Sequence, residues 1–235
     1  MDKQIVFEDI WSGATDCLHC ALRTSVLFAG LEQADFERIH EPIDHLILEP
    51  QEALYRAGDQ GEYMYTLRVG AIKLVQYLPD GNQRIVRLAR DTDVLGLESL
   101  LGSSYQHDAI ALRGSQLCRF PTRLVRRLSR ENPKLHQTLF HRWQQALSEA
   151  DAWLTQLSTG SARQRVARLL LRLARPGQSG ECVLFGREDL GAMLGITTET
   201  TSRTIAEFRR QGLLLELEPN RCQLDIRRLT DIANE

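Results

Sequence analysis

Three side chains in the last quarter of the chain have the types and the spacing to read nucleic-acid bases. Glu199, Ser202 and Arg203 stand at positions i, i+3 and i+4, so on a helix they share one face. Arg203 can donate two hydrogen bonds to guanine O6 and N7, Glu199 can accept one from cytosine N4, and Ser202 can meet either kind of base edge. Because a carboxylate near phosphates is repelled unless it finds a base donor, Glu199 favours base reading over a merely solvated polar face.

The segment before this face predicts the first half of a helix-turn-helix. Leu190, Met193 and Leu194 recur at helical spacing in a helix that begins near Arg187. Gly195 follows directly, and it suits a left-handed position at the end of that helix because it has no Cβ to clash.

A second helix is predicted to carry the reading face. Ile196 can fill the corner between the two helices, and either Thr197 or Thr198 can cap the second one by accepting from a backbone N–H. Gly212 is expected to end it. The buried stripe of this helix recurs at i, i+4 and i+7 and comprises Thr201, Ile205 and Phe208.

The period changes after Gly212, which indicates a β-hairpin. Leu213–Leu217 and Gln223–Ile226 read as two short strands around a turn at 218–221, so a winged helix-turn-helix is expected. Contacts to phosphates position a protein on DNA without reading its sequence. They are expected from Thr198, Thr200, Arg209, Arg210 and Arg221.

The residues from about 45 to 121 alternate between apolar and polar types in short runs. Turn signals at 57–59, Gly70 and 79–82 separate the runs. Many short strands at regular spacing predict a β-sandwich or jelly roll. The runs are Leu46–Leu48, Met64–Leu67, Ala71–Val75, Ile85–Leu88 and Ala109–Leu112.

A long helix is predicted from about Lys134 to Leu157. Apolar residues repeat along it at the 4-3-4-3-4 spacing of a coiled-coil seam, which favours a dimerisation helix over a single amphipathic core helix. The seam comprises Leu139, Trp143, Ala146, Ala150, Trp153 and Leu157. A second stripe, Phe140, Leu147 and Leu154, is expected to pack on the β domain. Leu147 and Leu154 are also assigned to the dimer interface.

These elements together indicate an α+β protein of four segments. They are a cysteine-containing segment at 1–26, a sensory β domain at 27–132, the dimerisation helix and hinge at 133–159, and the winged helix-turn-helix at 160–235. A two-fold axis along the long helix would hold two recognition helices about one DNA turn apart, on the order of 34 Å. The expected target of such a homodimer is a palindromic site on double-stranded DNA.

The composition bounds the class of protein. The chain of 235 residues is 43% hydrophobic and carries a net charge of −2, and no apolar run approaches the 18 residues of a transmembrane helix. Its N-terminus lacks the basic and apolar regions of a signal peptide, so a cytoplasmic protein without membrane contact is expected. An enzyme is not expected, since no Ser/His/Asp set, paired-acid cleft signature, phosphate loop or H-E-x-x-H motif is found.

The chain resembles the CRP/FNR superfamily of bacterial transcription regulators from about Leu27 to its C-terminus. Residues 199–203 match the E-x-x-S-R pattern of the FNR branch. In the β domain, the resemblance rests on Arg56, Ala57, Gly58, Asp59, Gly61, Leu67, Gly70 and Lys73. It implies a cyclic-nucleotide-binding-like jelly roll, a DNA half-site similar to TTGAT, and regulation by contact with RNA polymerase.

The resemblance also bears on the effector. A cyclic-nucleotide pocket needs a cation for the phosphate, because burying an unpaired anion is costly. In the cyclic-AMP branch a G-E-L motif is followed by an Arg-Ser pair, whereas this chain has Gly-Leu-Glu-Ser-Leu at 96–100 and Gln-His-Asp-Ala at 106–109. The arginine is missing and Asp108 would repel phosphate, so cyclic AMP is not the expected effector.

The FNR branch implies an iron–sulfur cluster held by three N-terminal cysteines and one in the β-roll. Cys17, Cys20 and Cys118 match three of these positions, and Val26 stands where the third N-terminal cysteine is expected. Thiolates suit iron and zinc, and further donors that could complete the set are Asp16, His19 and His107. Three sensors stay open: an iron–sulfur cluster for a redox, oxygen or nitric-oxide signal, a thiol–disulfide switch at Cys17 and Cys20, and a haem- or small-molecule-responsive regulator without a cluster.

Overall fold

The structure is a computed structural model that describes residues 5–6, 27, 43–174 and 180–235. The described residues form two compact units. The first unit takes the residues up to 76 together with 87–147, and the second takes 77–86 together with 148–235. The predicted α+β class is confirmed, since a β-roll comes first and a winged helix-turn-helix closes the chain.

The β-roll is built on a sheet of seven described strands. They are β1 Ile5–Val6, β2 Asp44–Leu48, β3 Ala53–Tyr55, β4 Tyr63–Tyr77, β5 Gln83–Ala89, β6 Val94–Leu95 and β7 Asp108–Pro121. The strand order is β1-β2-β7-β4-β5, with β3 paired to β7 and β6 to β4. Leu46, Leu117 and Leu67 align across three neighbouring strands and are all buried. The alternating apolar residues of the sequence therefore lie on one buried face of the sheet.

Gly70 bends a strand instead of ending one, so the predicted turn at this glycine is wrong. β4 runs unbroken through it, and its register against β7 shifts three times between Leu67 and Ile72. Gly70 has φ +136°, and a Cβ there would lie 2.1 Å from Ser115 Oγ. The glycine therefore allows irregularities at which the strand bends while it keeps its partner.

Six described α-helices complete the fold. They are α1 Thr122–Glu131, α2 Pro133–Ala152, α3 Ala162–Leu173, α4 Arg187–Leu194, α5 Thr198–Arg210 and α6 Ile226–Asn234. Within the described residues, none of these helices is both long and apolar enough to span a membrane. Helix α1 and the start of α2 close a core of the first unit that contains Leu27, Ile43, Met64, Val94, Leu97, Phe120, Leu124, Val125, Leu128, Leu135 and Leu139.

The long helix differs from its prediction in where its apolar stripes lie. Helix α2 ends at Ala152 and continues as a π-helical segment, Trp153–Leu157. Leu139, placed in the dimer seam, packs in the core of the first unit, and Trp153 and Leu157 are buried within the chain. The stripe expected to pack on the β domain is instead exposed, by 63% at Phe140, 64% at Leu147 and 68% at Leu154. Both stripes recur with the same spacing, so periodicity does not show which one faces the chain's own core.

The wing has three described strands, of which the hairpin prediction found two. They are β8 Glu181–Val183, β9 Leu214–Glu218 and β10 Arg221–Leu224, in the order β8-β10-β9. The predicted strand Gln223–Ile226 is wrong at its end. The Asp225 side chain accepts a hydrogen bond from the backbone N–H of Arg228 and caps α6, which begins at Ile226.

Candidate nucleic-acid interface

Helices α4 and α5 form the predicted helix-turn-helix. Helix α4 begins at Arg187 and ends before Gly195, whose φ of +62° is the expected left-handed conformation. The apolar residues predicted for this helix are all buried, namely Leu190, Met193 and Leu194. A Cβ on Gly191 would lie 2.7 Å from the carbonyl oxygen of Ile196, so this glycine lets the turn approach α4 closely.

Thr197 caps the recognition helix α5, which resolves the choice between Thr197 and Thr198. Its Oγ1 accepts from the backbone N–H of Thr200 at 3.1 Å. The predicted buried stripe is confirmed, with Thr201, Ile205 and Phe208 each at most 1% exposed. Gly212, at φ +70°, follows the helix end, as predicted.

Glu199 and Arg203 are exposed on the side of α5 away from its buried stripe. Their side chains are 79% and 71% exposed, and Arg203 Nη1 lies 3.8 Å from Glu199 Oε1. Ser202 lies beside them and is half-buried, and Ala206 continues the exposed face. An ion pair this exposed stabilises a helix by only a few tenths of a kcal/mol, about 0.3–0.5. Breaking this ion pair so that either group can bind a ligand therefore costs little free energy.

The residues predicted to contact phosphates differ in what already binds them. Arg209 Nη2 lies 2.9 Å from Glu216 Oε2. Arg221 lies next to the hairpin turn and binds two carboxylates, those of Glu181 at 2.9 Å and Glu218 at 3.1 Å. Hydrogen bonds to Glu181 and then Glu218 raise the pKa of Arg221. These two arginines have acceptors within the chain.

The other three predicted phosphate contacts lie at the two ends of α5. Thr198 is its first residue and is exposed, while Thr200 is half-buried and its Oγ1 accepts from Thr197 Oγ1 at 2.9 Å. Arg210 is the last residue of α5 and is exposed, and the described part of the chain gives it no ion pair.

Two arginines that sequence reasoning missed hold the helix-turn-helix inside the second unit. Arg163 on α3 donates to Glu207 Oε1 at 2.6 Å, and its guanidinium lies over the ring of Phe208. Arg84 donates to Ser158 Oγ at 3.1 Å and to the carbonyl oxygen of Ala192 at 3.4 Å. Burial, and then the charge of Arg165, lower the pKa of Arg84. No local pattern marks either arginine, because their acceptors lie 44 to 108 residues away.

The cysteines proposed as metal ligands are divided by what the structure describes. Cys17 and Cys20 lie outside the described residues. Cys118 lies half-buried on β7 and packs against the core of the first unit. Over residues 43–174 and 180–235, no three His, Cys, Asp or Glu side chains are grouped to hold a metal ion, so Cys118 does not form a metal site with described donors alone.

The other two cysteines face each other in the wing. Cys182 on β8 pairs in register with Cys222 on β10, and both are buried. Burial raises the pKa of Cys182 to about 12 and also raises that of Cys222. Because the thiolate is the metal-binding and nucleophilic form, this pair acts as packing.

Two family models match the chain and together span both units. A cyclic nucleotide-binding domain matches residues 46–132, and a Crp-like helix-turn-helix domain matches residues 164–232. The second match contains α4, α5 and the wing. The first contains most of the β-roll.

Curated proteins and solved structures are similar over most of their length. The transcriptional activatory protein AadR of Rhodopseudomonas palustris is 29% identical over 221 residues, which cover 92% of each chain. The fumarate and nitrate reduction regulatory protein of Vibrio cholerae is 26% identical over 208 residues, covering 86% of this chain and 83% of that protein. The structure of FixK2 from Bradyrhizobium japonicum matches with a TM-score of 0.73 at 26% identity, covering 82% of this chain and 98% of that one.

Proposed function

Because this chain belongs to the CRP/FNR superfamily of transcription regulators, we propose that it binds a palindromic DNA site as a homodimer. Its binding responds to a redox, oxygen or nitric-oxide type of signal. The observation that carries the DNA part of this proposal is the exposure of Glu199 and Arg203 on one face of a recognition helix whose opposite face is buried.

The reading face offers three complementary kinds of contact to base edges. Arg203 donates to guanine O6 and N7, Glu199 accepts from cytosine N4, and Ser202 bonds either edge. Their mutual ion pair supports this role, since it holds the two charged groups side by side before DNA arrives. On a cognate site each group finds a base partner in place of the other.

We rank the predicted phosphate contacts by how exposed each side chain is and by whether a carboxylate of the chain already binds it. Thr198 and Arg210, both exposed, and Thr200 are the contacts that need least rearrangement. Arg209 and Arg221 contribute only if they share their guanidinium groups between DNA and their carboxylate partners. Their part in binding is therefore expected to be smaller.

A second copy of the chain is the proposed occupant of the exposed stripe on the long helix. Phe140, Trp143, Leu147 and Leu154 are 63%, 36%, 64% and 68% exposed, and Ala146 and Ala150 lie among them as small residues that permit close approach. Apolar stripes of this kind on single chains mark association surfaces. This assignment drops Leu139, Trp153 and Leu157 from the interface, because the chain buries them itself.

The signal is assigned through the cysteines and the relatives. Cys118 and the C-x-x-C of Cys17 and Cys20 are the thiol ligands that an iron–sulfur cluster would use. The name of the Vibrio relative, a fumarate and nitrate reduction regulator, supports a redox type of signal. Protein purified without oxygen should absorb in the visible range and contain iron and sulfide. A colourless protein free of both would instead leave the thiol–disulfide switch at Cys17 and Cys20 and a haem-free, small-molecule-responsive regulator.

The proposal extends to place and partners. We place the regulator in the cytoplasm, away from membranes and without an enzymatic activity of its own, and RNA polymerase is its partner at promoters. These assignments rest on the regulator relatives. Purified RNA polymerase and a promoter carrying the site would test them together, by transcript yield with and without the protein.

Direct binding tests the central claim. The full chain is titrated at fixed salt onto a duplex with two inverted TTGAT half-sites and onto a scrambled duplex of the same composition. Specific binding should exceed non-specific binding by about 10³-fold or more. Half-sites moved apart by half a helical turn should lose most of this advantage, and equal affinity for all three duplexes would reject sequence-specific palindromic binding.

A further inference from the structure

The carboxylate of Asp108, at the start of β7, sits in an oxyanion-binding cradle of the first unit. Its Oδ2 accepts from Arg56 Nη1 at 2.7 Å, and its Oδ1 accepts from the backbone N–H of Ala57 at 2.8 Å. The side chain of Asp108 is 10% exposed and that of Arg56 is 55% exposed. Each carboxylate oxygen thus has a donor where an unpaired anion would be costly.

Bonds that do not involve the Asp108 side chain hold this cradle in place. Asp59 Oδ2 accepts from the backbone N–H of Arg56 at 2.8 Å. The N–H of Gly58 donates to the carbonyl of Tyr105 at 2.8 Å, and the N–H of Tyr105 donates back to the carbonyl of Asp59 at 3.0 Å. The loop that carries Arg56 and Ala57 is therefore docked beside the start of β7 by its own backbone.

A guanidinium and a backbone N–H that converge on one point are the donors proteins use for phosphate and carboxylate oxygens. Here the anion comes from the chain itself, more than fifty residues away from its donors. The cradle also lies inside the stretch that matches a cyclic nucleotide-binding domain. Arg56 and Ala57 are separate from the Arg-Ser pair of the cyclic-AMP branch, at whose place this chain has Gln-His-Asp-Ala, residues 106–109.

We propose that Asp108 is a built-in ligand, whose carboxylate fills an oxyanion site of the first unit and excludes external phosphate and carboxylate groups from it. A tethered carboxylate holds its place at a high effective concentration. An incoming phosphate would have to displace it and leave two negative charges side by side. Asp108 is thus a specificity-determining residue, and it directs the first unit away from anionic nucleotides at this site.

The alternative is that the Arg56–Asp108 ion pair only links two segments of the first unit. These two roles of Asp108 differ in one measurable property. A built-in ligand can be replaced by a free one, whereas a simple tie cannot. Asp108→Ala removes the carboxylate and leaves a space of about its size between the two donors. Asp108→Ser leaves a smaller space and places a neutral hydroxyl about where the carboxyl carbon of Asp108 stands.

The test is chemical rescue of the full chain, read by thermal unfolding and by calorimetric titration. Sodium formate and sodium phosphate are the probes, with sodium chloride at equal ionic strength as the control. In the wild type, formate and phosphate should change the unfolding midpoint only by the general, non-saturating effect that these salts have on proteins. Asp108→Ala and Asp108→Ser should unfold at lower temperature, and formate should restore the midpoint in a saturable way. In Asp108→Ala carrying Arg56→Ala as well, half-saturation should require at least about tenfold more formate, since a charge-assisted hydrogen bond is lost.

Three results would overturn the proposal. One is a wild-type protein that binds phosphate or 3′,5′-cyclic AMP with an affinity that depends on Arg56. Another is a shift of the unfolding midpoint in formate that is no larger than the shift in chloride, in both single variants. If a single variant is unfolded without formate, the failure of formate to refold it counts as the same result. The third is an undiminished response in the double variant. No readout involves DNA, so this outcome is independent of the proposed DNA binding.

Discussion

Arg84 packs so closely on Gly195 that a Cβ built on the glycine would lie 2.0 Å from the arginine Nη1. The same guanidinium bonds Ser158 and the carbonyl of Ala192. Gly195 also has φ +62°, a conformation that side-chain-bearing residues rarely adopt. The corner of the helix-turn-helix therefore needs glycine for its backbone conformation, and a Cβ there would also displace the end of the Arg84 side chain.

Gly195→Ala is expected to destabilise the protein more than Gly212→Ala. Both glycines have positive φ, where a Cβ costs about 1–2 kcal/mol. Only Gly195 would also push Arg84 from its acceptors, at a further cost of about 1 kcal/mol. Urea denaturation followed by circular dichroism measures both. In an Arg84→Ala background the two substitutions should cost the same, and equal costs with Arg84 present would contradict the packing argument.

Arg203→Ala is expected to lower the affinity for a duplex with inverted TTGAT half-sites by about 1–3 kcal/mol. It should also remove discrimination at the G·C pair of each half-site, because the guanidinium is the group proposed to recognise guanine. Competition binding with that pair changed to A·T measures the discrimination. The thermal midpoint should not move, since the ion pair to Glu199 is exposed. Equal losses on cognate and random DNA would assign Arg203 to the phosphates instead.

Arg210→Ala is expected to weaken binding to all sequences alike. It should lower the slope of log affinity against log salt by about 1, because one phosphate contact releases about one counterion. Arg227→Ala, which removes an exposed arginine on α6, controls for the loss of one positive charge and should leave the slope nearly unchanged. If Arg210→Ala changes sequence preference, or if Arg227→Ala lowers the slope as much, Arg210 is not the phosphate contact.

Leu147→Glu is expected to shift the protein from dimer to monomer at micromolar concentration. The side chain is 64% exposed on the stripe proposed to meet a second copy, where a charge would be buried without a partner. Gln145→Glu is the matched control, since residue 145 is exposed and lies about 200° around the helix. Sedimentation velocity reports both states. A dimer that survives Leu147→Glu would place the interface elsewhere.

The sequence determined the recognition helix well because its features are local. A threonine cap at 197 or 198, the buried stripe of Thr201, Ile205 and Phe208, and the glycine at 212 all follow from contacts within one or two helical turns, and the structure selects Thr197 as the cap. The exposed positions of Glu199 and Arg203 follow from the same helical period. The sequence also predicted the fold class of the β-roll, because alternating apolar and polar residues indicate half-buried strands whichever strands they pair with.

Tertiary structure decided the features that depend on residues far apart in the chain. Gly70 bends β4 because β7 continues beside it on both sides, and the acceptors of Arg84 and Arg221 lie on other elements. The same holds for the long helix, whose apolar stripes have one period but different neighbours, so that Leu139 is buried while Phe140 is exposed. Local patterns determine which face of an element is apolar, but only the packed chain determines what covers that face.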